Sequence, residues 1–117
     1  MPDAVRVAET ADVATAYIEM AGREGDGRAH PLPKLILLDL KLPGRGGLQF
    51  LEWLRQRPET RYLPVVVLTS STNRDDIVGA YQRGANSYTV KPVSLEDFVP
   101  MVGTVVHYWS SLNRLPE

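Results

Sequence analysis

Lys34-Leu35-Ile36-Leu37-Leu38-Asp39-Leu40 is the stretch on which the fold turns. Apolar residues follow one another without alternation until a single acid closes the run. A strand of this kind buries both faces, as a central strand does in a parallel sheet covered by helices. Asp39 is also the only acidic residue between Asp26 and Glu52. A carboxylate so placed is costly unless it is partnered, so Asp39 reads as a working residue at the end of a strand.

Towards the C-terminus, Pro43, Gly44, Gly46 and Gly47 punctuate a tight loop. A helix is predicted from about Leu48 to Arg57, burying Leu48, Phe50, Leu51 and Leu54. Val65-Val-Val-Leu-Thr69 is a second continuous apolar strand, followed by the polar loop Ser70–Asn73. A helix over Arg74–Arg83 stops at Gly84, and Ser87–Val90 is a shorter strand. Ser94-Leu-Glu-Asp97 opens the last helix as a capping box with Asp in place of Glu, and Pro100 either kinks that helix or marks a later start.

Towards the N-terminus lies a loop at 22–33 holding Gly22, Gly25, Gly27, Pro31 and Pro33. Before it a helix is predicted over 11–21, with Val13, Ala16, Tyr17, Met20 and Ala21 as its apolar face, Thr10 as N-cap and Gly22 as stop. Ala4–Ala8 is a strand candidate broken by Arg6. Strict β-α alternation predicts an α/β fold, a doubly wound parallel sheet of four strands with four helices.

The chain has 117 residues, 13 basic and 14 acidic, for a formal net charge of -1. That size predicts one domain spanning 1–117. The charge balance gives no global field for nucleic acid. The absence of Cys removes disulfides, thiolate catalysis and Cys-ligated zinc, and the two histidines, His30 and His107, have no ligand spacing. No apolar run reaches a membrane span and no signal peptide opens the chain, so the expected compartment is the cytoplasm, with neither membrane nor nucleic acid as partner. Gly44–Gly47 match neither phosphate-loop fingerprint.

In sheets of this type the functional crevice lies beyond the carboxyl ends of the strands. Those ends are Asp39, Thr69 and Lys91: an acid, a hydroxyl and an ammonium from three strands. Lys91 can pair with Asp39, and Thr69 can donate to a group that Asp39 carries. The set suits phosphoryl chemistry, in which positioning and charge neutralisation dominate, with the carboxylate as nucleophile. Plainer readings stand beside it. Asp39 could cap the following loop, Lys91 could snorkel at the surface, and Tyr88 could be core. Arg55, Arg57 and Arg61 read as a solvated face.

Three segments carry a resemblance: Leu37-Leu-Asp39-Leu-Lys-Leu-Pro43-Gly-Arg-Gly-Gly47, Val66-Val-Leu-Thr69-Ser-Ser, and Gly84-Ala-Asn-Ser-Tyr88-Thr-Val-Lys91-Pro92. In this order and spacing they resemble the receiver domain of two-component response regulators. The 22–33 loop, the Ala85–Tyr88 segment and Tyr108-Trp109 look like the stand-alone receivers that partner bacterial phytochrome-type kinases. The resemblance implies a flavodoxin-like, CheY-like fold and a non-enzymatic signalling role. Asp39 would accept a phosphoryl group from a histidine kinase, and Lys91 would pair with it. Thr69 would turn to the phosphoryl oxygen, and Tyr88 would follow as an aromatic switch. Asp39 and the backbone carbonyl of Lys41 would bind Mg²⁺, the Lys91–Pro92 peptide would be cis, and Pro43 and Gly47 would shape the loop. Output would be protein–protein interaction, including a homodimer through the last helix or an exposed sheet edge.

The sequence departs from that pattern at its start. Receiver sheets have strand order 2-1-3-4-5, and the first strand ends in an acidic pair that helps hold Mg²⁺. If Ala4–Ala8 were that strand, Glu9 and Asp12 would stand in for the acids. Arg6 suits an edge strand better than a central one. The expectation is therefore that Ala4–Ala8 is the second strand and that the first strand–helix unit is missing, leaving the Mg²⁺ site incomplete. Two rival functions follow. One is a receiver-fold interaction module that works without phosphorylation. The other is a small aspartyl phosphatase or phosphotransferase, which wants a second acid where Lys41 stands.

Overall fold

The computed structural model describes residues 11–24, 33–40 and 46–112. In chain order the elements are α1 (Ala11–Glu24), β1 (Ile36–Leu38), α2 (Gly47–Gln56), β2 (Val65–Thr69), α3 (Arg74–Gln82), β3 (Ser87–Val90) and α4 (Leu95–His107), with α4 continuing into a π-helical turn at Tyr108–Leu112. The three strands form a parallel sheet in the order β1-β2-β3. The chain is thus α/β as expected. The fourth strand candidate, Ala4–Ala8, lies outside the described residues, as do Arg6, Glu9, Thr10 and His30.

β2 is the sheet's centre. Its residues Val65–Thr69 are all buried, and they pair on both sides: Leu38 stands against Val67, and Thr69 against Val90. β1 differs from its expectation as a doubly buried central strand, because Leu37 is 37% exposed. Continuous apolarity permits burial of both faces, but only a covering layer delivers it.

The core gathers Leu38, Val65 and Val67 from the sheet, Phe50, Leu51 and Leu54 from α2, Ile18 from α1, and Ala80 and Ala85 around α3. Each large apolar side chain so buried contributes roughly 1.5–3 kcal/mol. The α2 face is the predicted one, with Leu48 and Trp53 packed at its margin. The α1 face is the predicted one only in part. Tyr17 packs on the core as expected, joined by Ile18 and Ala14, whereas Ala16 is exposed and Val13 is 53% exposed. Two apolar stripes compete on this helix, and the one carrying its isoleucine meets α2. α1 also runs past Gly22 to Glu24, since one interior glycine costs a helix only about 1 kcal/mol.

Helix ends follow local chemistry. Asn73 caps α3 by accepting from the Asp75 N–H, and the Ser94 hydroxyl accepts from the Asp97 N–H at 3.2 Å, as the capping box requires. Gly84 ends α3 with φ +104°. There its N–H donates to the Tyr81 carbonyl and the Ala85 N–H to the Ala80 carbonyl, a Schellman closure. Pro100 sits inside α4, which begins at Leu95 and continues through it. α4 buries none of its residues, and Leu95 and Val99 are exposed.

Candidate functional site

The parallel ladder sets the site. Leu38 pairs with Val67, so Asp39 emerges one residue beyond β1. Thr69 closes β2 beside Val90, and the Lys91 N–H donates to the Thr69 carbonyl at 2.8 Å, which fixes where the lysine leaves the sheet. Lys91 Nζ then reaches Asp39 Oδ2 at 2.8 Å. The two side chains are 34% and 35% exposed. An ion pair this accessible contributes only about 0–1 kcal/mol to stability, so it is an exchangeable contact rather than a structural lock.

Thr69 is fully buried, and its Oγ1 accepts from the Ser71 N–H at 3.4 Å. Tyr88, directly across from Val67, packs on the core and donates its hydroxyl to the Ser71 carbonyl at 3.0 Å. It is therefore core and polar tether at once. Gly47 is buried at the start of α2, and a Cβ there would come within 2.9 Å of Leu40 Cα and 3.0 Å of the Asp39 carbonyl oxygen. Only glycine lets α2 approach the acid-bearing loop this closely. Its neighbour Gly46 takes φ +95° and needs the same freedom for another reason.

Three expectations need correction or fall outside the description. The Lys91–Pro92 peptide, expected cis, is trans, as are all peptide bonds among the described residues. Trans is favoured by about 0.5–1 kcal/mol before proline, and Pro92 is only partly buried, so little packing is available to reverse that preference. Arg55 does not belong to a solvated face. Its guanidinium donates to the carbonyls of Leu63 (2.8 Å), Arg61 (3.1 Å) and Gly84 (2.8 and 3.0 Å) and to Asn86 Oδ1 (2.9 Å). Burial lowers its pKa, yet a guanidinium stays charged at neutral pH. Lys41 and Pro43 lie outside the described residues.

Magnesium prefers a near-octahedral set of oxygen ligands. Asp39 offers a carboxylate, but among the described residues no group of three or more Asp, Glu, His or Cys stands together. The described part alone therefore does not make a Mg²⁺ site.

Sequence reasoning found Asp39, Thr69 and Lys91, which the structure brings to one end of the sheet. It missed Ser71, Asp76, Arg55 and Asn86. The signals were present but weak: a serine two residues beyond Thr69, an acid five residues further on, and an asparagine in the turn after Gly84.

Comparison with known proteins agrees with this geometry. Residues 2–103 match the family model of the response regulator receiver domain. The chain is 44% identical over 93 residues to a probable methanogenesis regulatory protein, FilR2, of Methanothrix harundinacea, covering 80% of this chain and 59% of the relative. It is 38% identical over 94 residues to response regulator Rcp1 of Synechocystis, covering 80% of this chain and 64% of Rcp1. Among solved structures, the phosphorylated cyanobacterial phytochrome response regulator RcpA superposes with a TM-score of 0.87 at 33% identity, covering 99% of this chain and 81% of RcpA. The chain belongs to the response regulator receiver domain family and is related to the phytochrome response regulators. It spans about three fifths of the length of the curated relatives it matches first. The family is mostly non-enzymatic and binds Mg²⁺ in general. No helix among the described residues is long and apolar enough to cross a membrane.

Proposed function

We propose that Asp39 accepts a phosphoryl group from the phosphohistidine of a kinase of the phytochrome type, and that the chain signals through protein–protein contact. The observation that carries the reading is the 2.8 Å pair between Lys91 Nζ and Asp39 Oδ2 at the strand end shared with Thr69. In the transfer, a carboxylate oxygen of Asp39 attacks phosphorus and the bond from phosphorus to the donor imidazole nitrogen breaks. The imidazole departs neutral, taking a proton from solvent where it needs one, and the product is an acyl phosphate on Asp39. Lys91 loses little by exchanging its carboxylate partner for a phosphoryl oxygen, because the resting pair is open to water. Charge compensation at the transferring group is the principal contribution such a site can make. The Thr69 hydroxyl takes a second phosphoryl oxygen in this reading, which its place at the end of β2 beside Lys91 supports, and Tyr88 bonds the loop that Thr69 touches.

The experiment is incubation with acetyl phosphate and Mg²⁺, read by intact mass. One phosphoryl adduct is expected, absent in Asp39→Asn. No adduct on the unsubstituted chain, or one that persists in Asp39→Asn, overturns the reading. Exposed Leu95 and Val99 on α4 support contact between copies of the chain. Size-exclusion chromatography should then show a dimer that dissociates on dilution, and a monomer at every concentration would refute it.

A further inference from the structure

We infer that Lys91 Nζ is a latent nucleophile toward Asp39, and that the phosphorylated chain retires itself by joining the two side chains in an amide bond. The inference rests on the phosphoacceptor reading and goes one step past it. A free carboxylate does not acylate an amine, because oxide is too poor a leaving group. Phosphorylation changes that. The Asp39 carbonyl carbon then carries phosphate, a good leaving group, and an amine is already beside it.

The structure holds both partners in place. Nζ lies 2.8 Å from Oδ2. It therefore stands within one further bond length of Cγ, near the ~3–3.5 Å at which oriented groups react. The Lys91 backbone is pinned, since its N–H donates to the Thr69 carbonyl at 2.8 Å. The Asp39 backbone is crowded by α2, which comes so close at Gly47 that a Cβ there would meet the Asp39 carbonyl oxygen at 3.0 Å. Groups fixed on neighbouring elements react as if at very high concentration, up to about 10⁵–10⁸ M in the best-oriented cases. The two side chains are 34% and 35% exposed, so water reaches the same carbonyl and hydrolysis competes. Hydrolysis returns the chain to its resting form, whereas the amide accumulates because nothing in the site reverses it.

In the step, the bond from Nζ to Cγ forms and the bond from Cγ to the phosphate oxygen breaks. Inorganic phosphate leaves. The ammonium gives one proton to the departing phosphate and one to solvent, and the third stays on the amide nitrogen. No oxidant or reductant takes part, and the chain ends one water lighter than it began. The joined chain has no Asp39 carboxylate left to accept a phosphoryl group. It also carries a covalent link between residues 52 positions apart, from the end of β1 to the end of β3.

The test is prolonged incubation of the full chain with acetyl phosphate and Mg²⁺, followed by intact mass and then by tryptic peptides. The phosphorylated mass should appear first, and a species one water lighter than the untreated chain should build up as it decays. Trypsin should then release peptide 35–41 joined to peptide 84–114 through Asp39 and Lys91. Hydroxylamine, which captures acyl phosphates, should abolish the lighter species when present from the start and leave it intact when added afterwards. In Lys91→Arg, whose guanidinium keeps the charge without an amine to acylate, the lighter species should be missing. Phosphorylated chain that decays wholly to the untreated mass overturns the inference and leaves the phosphoacceptor reading standing. A lighter species whose peptides stay separate has the same meaning, because the Leu40 N–H can close a succinimide on the same carbonyl. So does a lighter species that persists in Lys91→Arg, or one joined at Lys34 or Lys41. If no phosphorylated mass ever appears, the phosphoacceptor reading falls, and the inference with it.

Discussion

At the carboxyl ends of the strands, Lys91 and Asp39 form a partly exposed ion pair, and Thr69 holds the next loop by a 3.4 Å contact. At the amino ends, Arg55 binds the Leu63 carbonyl just before β2 and the Gly84 carbonyl just before β3. It shares Asn86 Oδ1 with the Val65 N–H, and the Asn86 N–H returns a bond to the Val65 carbonyl. The same sheet thus carries two polar clusters of opposite character. One pairs a partly exposed ion pair with a long loop contact, whereas the other gathers several backbone carbonyls on one partly buried guanidinium. Charged hydrogen bonds from one guanidinium to several carbonyls hold a geometry more firmly than a partly exposed ion pair does. A signalling site needs partners it can exchange, and it can have them because the far end of the sheet keeps the strands in register.

Substitution at the dense end should give the largest stability effect. Arg55→Ala leaves the Leu63 and Gly84 carbonyls without their donor and should lower unfolding free energy by roughly 2–4 kcal/mol. A urea titration measures it, and Arg55→Lys should recover little, since an ammonium cannot reproduce the fork. The rate of adduct formation from acetyl phosphate should stay as it was at temperatures where the variant is folded. A change in stability within about 0.5 kcal/mol would break the contrast between the two ends.

Gly47 lies between the extremes, because it belongs to packing but borders the acid. Gly47→Ala puts a Cβ against the Leu40 and Asp39 backbone. The expected cost is about 1–3 kcal/mol, and adduct formation should slow as well because the Asp39 loop must move. Unaltered kinetics would show that the close approach serves packing alone. The smallest stability effect should come from Lys91→Met, within about 1 kcal/mol, although adduct formation should fall by roughly 100-fold. A stability loss as large as that of Arg55→Ala would make the pair a lock and the contrast false.

Much of the site was legible because a parallel sheet converts position along the chain into position in space. The last residue of an apolar run is the residue at the crevice, so Asp39, Thr69 and Lys91 could be picked out before any contact was known. Gly84 and Ser94 were legible because caps act over three or four residues. Arg55 was not, since its partners at Gly84 and Asn86 lie 29 and 31 residues away. Among Arg55, Arg57 and Arg61, nothing local distinguishes the arginine that turns inward.

By itself, then, the sequence determined the β-α alternation, the strand ends and the polar residues that stand at them, all of which follow from local pattern. The tertiary structure alone decided which stripe of α1 faces inward and that Leu37 stays open. It also decided that Lys91–Pro92 is trans and that Ser71 gathers Thr69, Tyr88 and Asp76. Each of these depends on what lies across a gap in the chain, and a free-energy difference of a kilocalorie or two set by distant neighbours leaves no local pattern to read.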